Sequence, residues 1–148
     1  EESDGWLITF VEEMPNIPRE GHGLTIANRP QIDTAGSSIK KYIEQGKNTP
    51  TPKEYLKAIQ NEKMYQNEAG LTPEEDLIYA ISHLEETNEV LNDYQGKGSI
   101  SYNLGALFPA SGGVPFSCWD RADRHAHLGW HAFGHRNPGC GVRLGVRV

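Results

Sequence analysis

Apolar residues at helical spacing follow a helix-start signal in the middle of the chain. Thr51-Pro52-Lys53-Glu54 has the form of a capping box, with proline at the first helical position. The pattern predicts a helix from residue 51 to about residue 66, in which Leu56 and Ile59 face the core with Tyr55 beside them.

The same signal recurs at Thr72-Pro73-Glu74-Glu75 and predicts a longer helix to about residue 93. Residues 67–70 separate the two helices. Five apolar residues recur at 3.6-residue spacing and are expected to face the core, namely Leu77, Ile78, Ile81, Leu84 and Leu91. The acidic residues Glu74, Glu75, Glu85, Glu86 and Glu89 are expected on the solvent side.

The rest of the pattern predicts strands around this helical centre. Residues 5–11 read as a strand, and residues 37–45 as a short helix after a stretch rich in proline and glycine. Beyond Gly96 the sequence consists of short β-like pieces with glycine, proline and aromatic residues. Its last segment, residues 142–148, alternates apolar and polar residues, which is typical of a terminal strand. The order predicts an α+β fold in a single domain spanning residues 1–148.

Residues 125–132 alternate strictly between two kinds of side chain. In an extended strand, successive side chains point to opposite faces. We therefore expect one outward face of imidazoles and bare backbone, made by His125, His127, Gly129 and His131. The other face is expected to pack inward through Ala126, Leu128, Trp130 and Ala132.

Charge and hydropathy exclude some classes of partner. The net charge is −6, and residues 117–148 carry five arginines against two aspartates. Five arginines are too few to indicate nucleic acid binding, in which clustered Lys and Arg dominate affinity. No apolar run approaches the length of a membrane span, so membrane insertion is not expected.

Composition changes sharply at residue 117. Residues 1–116 contain 28 Glu, Lys, Gln or Met, whereas residues 117–148 contain none. Exposed positions are usually drawn from the charged and polar members of this set. In the segment they hold Asp, Arg, His, Gly, Asn and Cys instead.

This segment resembles the variable region of proteins diversified by mutagenic retroelements, whose C-terminal domain is a C-type lectin fold related to formylglycine-generating enzymes. In that family, asparagine codons of a template are randomised at their adenines, which excludes Glu, Lys, Gln, Met and Trp. Restoring Asn at the unusual positions of residues 119–130 gives Trp-Asn-Arg-Ala-Asn-Arg-Asn-Ala-Asn-Leu-Asn-Trp. The resemblance covers residues 99–148 and includes the closing Gly141-Val142-Arg143, similar to the family's Gly-Phe-Arg.

The resemblance implies a constant frame that carries variable, ligand-contacting positions within residues 117–143. The frame would be Trp119, Ala122, Ala126, Leu128, Trp130 and Pro138. The display positions would be Cys118, Asp120, Asp123, His125, His127, Gly129, His131, Gly134, His135, Asn137, Gly139 and Cys140. Arg121, Arg124 and Arg136 are candidates for tying loops together. The expected partner is a protein or cell-surface ligand, the expected location is a virion, a cell surface or the medium, and no cofactor is expected.

Three other functions compete for the same residues. His125 and His127 lie on one face of a strand and could hold zinc, completed by His131, His135 or Cys118, although no carboxylate or Cys recurs at a tight ligand spacing. A formylglycine-generating-enzyme-like oxidoreductase would use the pair Cys118 and Cys140, but the motif around such cysteines is absent, so an enzyme is not expected. A calcium-dependent sugar lectin is not expected either, since acidic oxygens are scarce in the segment. The sequence leaves open whether the two cysteines pair.

Overall fold

The computed structural model describes residues 9–11, 50–94, 100–107, 110–137 and 139–147. Within these residues lie two helices, α1 (Pro52–Asn61) and α2 (Pro73–Thr87), and seven strands: β1 (Thr9–Val11), β2 (Glu68–Gly70), β3 (Ile100–Tyr102), β4 (Gly113–Asp120), β5 (His125–Ala132), β6 (Cys140–Val142) and β7 (Leu144–Arg147). The predicted α+β class is confirmed. The predicted helix over residues 37–45 lies outside the described residues.

Helix α1 begins as the sequence predicts. The Thr51 side chain accepts a hydrogen bond from the Glu54 backbone N–H at 3.3 Å, and the Glu54 carboxylate accepts one from the Thr51 N–H at 2.7 Å. This reciprocal cap satisfies two backbone donors that the first turn leaves open. The helix ends at Asn61, and a 3₁₀ turn at Lys63–Tyr65 covers most of the remaining predicted length.

Helix α2 has the same cap at Thr72 and Glu75 but is shorter than predicted. It ends at Thr87 because Asn88 takes a left-handed conformation, with φ of 58°. Asparagine tolerates this conformation and commonly closes helices. The predicted extension to residue 93 is therefore wrong, although Leu91 is buried as expected.

The apolar stripe of α2 faces mostly outward, against the prediction. Ile78 and Ile81 are each 59% exposed and Leu84 is 41% exposed. The residue of α2 that is fully buried is Asp76, which carries a carboxylate. The helix is thus attached to the sheet by polar contacts at its first turns, which helical periodicity of apolar residues does not report.

The strands form two sheets. One has the order β5-β4-β3-β6 and is antiparallel except for the parallel β3–β6 pair. The other has the order β1-β7-β2 and joins the first and last described strands in antiparallel pairing. The predicted strands at both ends of the chain are confirmed over residues 9–11 and 144–147, while Arg143 separates β6 from β7.

The main core lies between α1 and one face of the four-stranded sheet. Tyr102 pairs with Phe116 on one side and Val142 on the other, so the three share this face. They pack with Tyr55 and Ile59 of α1, and all five side chains are buried. The predicted inward face of α1 is confirmed. Neither described helix is long and apolar enough to cross a bilayer.

A buried polar cluster fixes α2 to the opposite face of this sheet. Asp76 accepts hydrogen bonds from Arg143 at 2.8 Å, from Asn92 at 3.1 Å and from the Ser117 hydroxyl. Asp76 and Arg143 are about 1% exposed, and the Arg143 guanidinium lies 5.3 Å from the centre of the Tyr79 ring. A charge can stay buried in this way because it is paired and hydrogen-bonded.

Candidate functional site

The β4–β5 hairpin brings predicted display positions together in pairs. Asp120 lies opposite His125, and Cys118 lies opposite His127. Residues opposite one another in an antiparallel pair share a face of the sheet. His125, His127, Gly129 and His131 therefore form one row along β5, and the predicted strand and its alternation are confirmed.

The predicted inward direction of the apolar row is wrong. Leu128 is 50% exposed and Trp130 is 61% exposed, and Ala126 and Ala132 are exposed too. The Trp130 ring lies over Gly113 of β4, with one ring atom 2.7 Å from the place where a Gly113 Cβ would stand. This row shares a face with Ser117, on the α2 side, but the described helices do not cover it at β5.

The histidine row lies on the face of the sheet that carries the main core. The ring centre of His131 is 4.3 Å from that of Phe116 and 5.8 Å from that of Tyr102, and its Nδ1 has no hydrogen-bond partner in the described part of the chain. His135 stacks on the other side of His131 at 4.1 Å. Burial, and then the charge of His135, hold the pKa of His131 below its usual value. The His131 side chain thus packs against the core and is only partly exposed to solvent.

The exposed part of the row lies farther along β5. His125 and His127 are exposed, with ring centres 6.3 Å apart. Backbone hydrogen bonds from Asp123 and then Ala122 lower the pKa of the Asp120 carboxyl, with a smaller contribution from the nearby imidazoles. A carboxylate beside two imidazoles gives this end of the hairpin both hydrogen-bond donors and acceptors.

The turn between β4 and β5 is held by its own side chains. The Asp120 carboxylate accepts hydrogen bonds from the N–H of Ala122 at 2.8 Å and of Asp123 at 3.2 Å. Arg121 donates to Asp93 at 2.7 Å through Nε, and this hydrogen bond lowers the pKa of Asp93. The expectation that Arg121 ties loops together is confirmed.

The segment after β5 is anchored to the start of α1. Arg136 donates to Glu54 at 3.0 Å and so ties this segment to a helix, whereas the sequence predicts a tie between loops; the N–H of Lys53 donates to the Phe133 carbonyl at 3.4 Å. Asn137 accepts from the N–H of Gly139 at 2.7 Å. Arg124 has an exposed side chain and a φ of 54°, and its role as a tie between loops stays a prediction.

Exposure divides the twelve display positions into three groups. Asp123, His125, His127 and Gly134 are exposed; Cys118, Asp120, Gly129, His131, His135 and Asn137 are partly exposed; Gly139 and Cys140 are buried. The last two cannot contact a ligand from these positions, so their assignment to the display surface is wrong. Of the predicted frame, Trp119 is partly exposed, Ala122, Ala126, Leu128 and Trp130 are exposed, and Pro138 lies outside the described residues.

Two glycines predicted as variable positions have no room for a side chain. A Cβ at Gly129 would lie 2.6 Å from the Phe116 ring, and one at Gly139 would lie 2.3 Å from the Tyr94 ring. Gly134 has nothing within 4 Å of its Cβ position. The strand and loop geometry therefore restricts which display positions can accept larger residues.

The cysteines and histidines do not form an evident reactive or metal centre. Cys118 and Cys140 are thiols without a disulfide, and their strands lie on either side of β3. Neighbouring strands are ~4.8 Å apart, so these two strands are separated by about twice that distance, beyond the Cα spacing of a disulfide. Burial, and then Asp120, raise the pKa of the Cys118 thiol. In the described ranges, no three His, Cys, Asp or Glu side chains are placed to hold a metal ion.

An apolar cleft of about 220 Å³ lies between α2 and the hairpin. Its walls include Leu77, Ile81, Leu84, Leu91, Trp119 and Ala126. The buried Asp76 cluster forms part of the same wall. Of the apolar residues of α2 that the sequence assigns to the core, Leu77, Ile81 and Leu84 therefore line a cleft instead, whereas Ile78 is exposed and is not part of its walls.

The chain matches no protein-family model, no curated protein and no solved structure.

Proposed function

We propose that this chain is a ligand-binding display protein on a C-type-lectin fold, whose variable surface is produced by retroelement-directed mutagenesis. The surface consists of the exposed histidine end of β5, the turn before β5 and the segment after it. Its partner is a protein or cell-surface ligand, and binding needs no cofactor.

The observation that carries the proposal is the coincidence of a composition boundary with one surface. The segment without Glu, Lys, Gln or Met starts at residue 117. Asp120, Asp123, His125 and His127, all from this segment, lie at the turn end of one hairpin. Retroelement mutagenesis of asparagine codons excludes these four residue types and accounts for the boundary, whereas general solvation of a surface does not.

The scaffold has the rigidity that such a surface requires. Arg121, Arg136 and the Asp120 cap hold the flanking loops by hydrogen bonds, and Asp123 takes part in the cap through its backbone N–H only, so these bonds do not use the side chains of Asp123, His125 or His127. If the loops are already fixed by hydrogen bonds, their outward side chains can vary while the backbone keeps its conformation. Less loop entropy is then lost on binding. In this clone a ligand would meet imidazole rings and carboxylates, which contact it by stacking and hydrogen bonds.

The genomic test of this proposal is direct. Sequencing the DNA around the gene should find a near-copy of the segment encoding residues 117–143, differing at adenine positions of the copy, next to a reverse transcriptase gene. A complete flanking sequence without both features rejects the diversification mechanism.

The biochemical test is tolerance of the exposed positions to change. We expect the combined variant Asp123→Tyr, His125→Asn, His127→Ser, Gly134→Asp to melt within ~4 °C of the parent, a change that corresponds to about 1 kcal/mol. The control is Phe116→Ser on the neighbouring strand, which is buried and should cost about 3–5 kcal/mol as large-to-small core changes do. Equal losses in the two proteins, measured by circular dichroism melting, would rule out a tolerant display surface.

A further inference from the structure

Strand β5 lies at the end of its sheet, and no strand of the described ranges pairs with its outer backbone edge. Among the described strands it pairs with β4 only. The Pro115 carbonyl accepts from the Asn103 N–H at 2.9 Å, so the Pro115 backbone points away from β5. In antiparallel strands, the backbone groups of two opposite residues point either toward each other or away from each other, so those of Trp130, opposite Pro115, point away from β4 to the open edge. Leu128 and Ala126 follow in the same alternation.

This edge lacks the features that usually prevent strand pairing. Natural edge strands carry lysine, proline, a bulge or inward charges. Residues 125–132 contain no Lys, Arg, Asp, Glu or Pro, and they form eight consecutive pairs with β4 without a bulge. Leu128 and Trp130, half exposed or more, flank the strand's centre on one face.

The strand is also complementary to itself. Residues 126–132 read Ala-His-Leu-Gly-Trp-His-Ala, a sequence that is nearly the same in both directions about Gly129. Two antiparallel copies with Gly129 opposite Gly129 place Leu128 opposite Trp130 twice. In this register, the residues whose backbone groups point to the open edge meet each other, as a hydrogen-bonded antiparallel pair requires.

We propose that β5 pairs with β5 of a second copy about a two-fold axis at Gly129, forming a symmetric dimer with one continuous eight-stranded sheet. Leu128 of one copy and Trp130 of the other form a hydrogen-bonded pair, in which each backbone N–H donates to the carbonyl of the opposite residue, and the two-fold axis repeats this pair. Each Trp130 side chain then packs against Leu128 of the other copy, and aromatic–aliphatic cross-strand pairs stabilise sheets. A two-fold contact uses the same patch on both molecules, which this register provides.

A second copy fits this edge better than an unrelated extended peptide. The edge carries no charge pattern that would select a foreign strand, while the Leu128–Trp130 match is satisfied by the chain itself. The pairing uses the apolar row, so His125 and His127 stay on the opposite face. The two display surfaces would lie on one sheet and bind a repetitive ligand with two sites. The dimer does not depend on the proposed display function.

The contact is small, because one strand and two large side chains per copy contribute most of it. We expect a dissociation constant near ~100 μM, at the weak end of specific association. Sedimentation equilibrium of the full chain over a concentration series measures it. Hydrogen exchange by NMR gives a second reading, in which the amides of Leu128 and Trp130 gain protection with concentration while that of His127 does not change.

Two variants test the edge. Leu128→Pro removes an outward N–H and leaves the β4 ladder its bonds, and proline is accepted at exposed strand edges for this reason. Trp130→Lys places a charge on the apolar row. Each should weaken dimerisation at least tenfold. The matched control is Ile78→Lys, which removes an apolar side chain of similar exposure (59%) from α2 and should leave the dissociation constant unchanged.

Four results would overturn the proposal. The first is a parent chain that stays monomeric up to ~500 μM, well above the expected constant. The second is an Ile78→Lys protein whose association is weakened as much as that of Trp130→Lys, which would indicate unspecific apolar contact. The third is a folded Leu128→Pro or Trp130→Lys protein that dimerises like the parent, which would place the interface elsewhere. The fourth is binding of a foreign strand to a monomeric parent chain, which would reject the second copy as occupant.

Discussion

Glycine positions within the display segment differ in the space around them. Gly129 faces the Phe116 ring, and a Cβ there would lie 2.6 Å from it. Phe116 is buried and stacked on His131, so its ring cannot move aside freely. We expect Gly129→Ala to destabilise the protein by about 1–3 kcal/mol, as overpacking does, in urea denaturation.

The control for Gly129 is Gly134, which has open space at its Cβ position. Gly134→Ala should be neutral or slightly stabilising, because alanine has fewer unfolded conformations to lose than glycine. If Gly129→Ala were as stable as Gly134→Ala, Phe116 would not occupy the space beside Gly129. That result would also return Gly129 to the freely variable positions.

The stacked imidazole of His131 links stability to pH. Burial and His135 lower the pKa of His131 in the folded protein, whereas an unfolded histidine titrates near ~6.5. Below about pH 6.5 the unfolded chain binds the proton more readily, so stability falls as pH falls. Above that pH both states are neutral and the effect vanishes. The groups around the ring are Phe116, Tyr102 and His135.

Melting temperatures of the parent and His131→Phe between pH 5 and pH 8 test this link. Phenylalanine keeps a ring against Phe116 and removes the proton site, so the variant should lose less stability on acidification than the parent. His125→Phe is the control, because His125 is an exposed residue of the same strand. Parallel pH profiles for the parent and His131→Phe would contradict the role of His131.

At the level of elements, local signals predict the starts of both helices. In each capping box, the side chains of threonine and glutamate accept hydrogen bonds from each other's backbone N–H. The two residues lie within four positions, so a short stretch of sequence is enough to predict the interaction. The end of α2 is less predictable, because Asn88 stops the helix through its backbone conformation while apolar spacing continues to Leu91. The spacing of apolar residues does not predict that an asparagine takes the left-handed conformation.

Strand β5 shows which part of a facing prediction is local. Alternation over residues 125–132 establishes a strand and two faces. Which face is covered depends on where β5 lies in the sheet, and an edge strand leaves its apolar row open. His131 packs against Phe116 because a neutral imidazole is a flat ring with partly apolar character. The alternation therefore predicted the strand and the outward direction of His125 and His127, but not the exposure of the apolar row or the packing of His131.

At the level of the whole molecule, the decisive contact joins residues far apart in sequence. Arg143 and Asp76 are separated by 67 positions, and their partners Asn92 and Ser117 come from two further segments. Hydrophobic patterning assigns charged residues to the surface, so it gives no signal for this cluster. The fold class was predictable from element order, but the attachment of α2 to the sheet was not.

Removing one member of this buried pair should affect the entire fold. Asp76→Ala leaves the Arg143 guanidinium buried without its carboxylate, and breaking a buried pair in this way costs about 3–5 kcal/mol. The double variant Asp76→Leu, Arg143→Met removes both charges and should recover much of that loss, since apolar replacements of similar volume are often nearly neutral. Denaturant unfolding of the three proteins gives the free energies.

The ion pair of Arg121 and Asp93 is the control in the same experiment, because it has the same kinds of charge as the pair of Arg143 and Asp76 but is more exposed to solvent. Arg121 is 54% exposed at its side chain, so Arg121→Met should cost far less than Asp76→Ala because water already screens the ion pair. If the two single variants lost equal stability, burial of Asp76 would not be what makes its pair essential. If the double variant were no better than Asp76→Ala, the loss of the hydrogen bonds from Asn92 and Ser117 to Asp76, and not the removal of the carboxylate from the Arg143 guanidinium, would account for the lost stability.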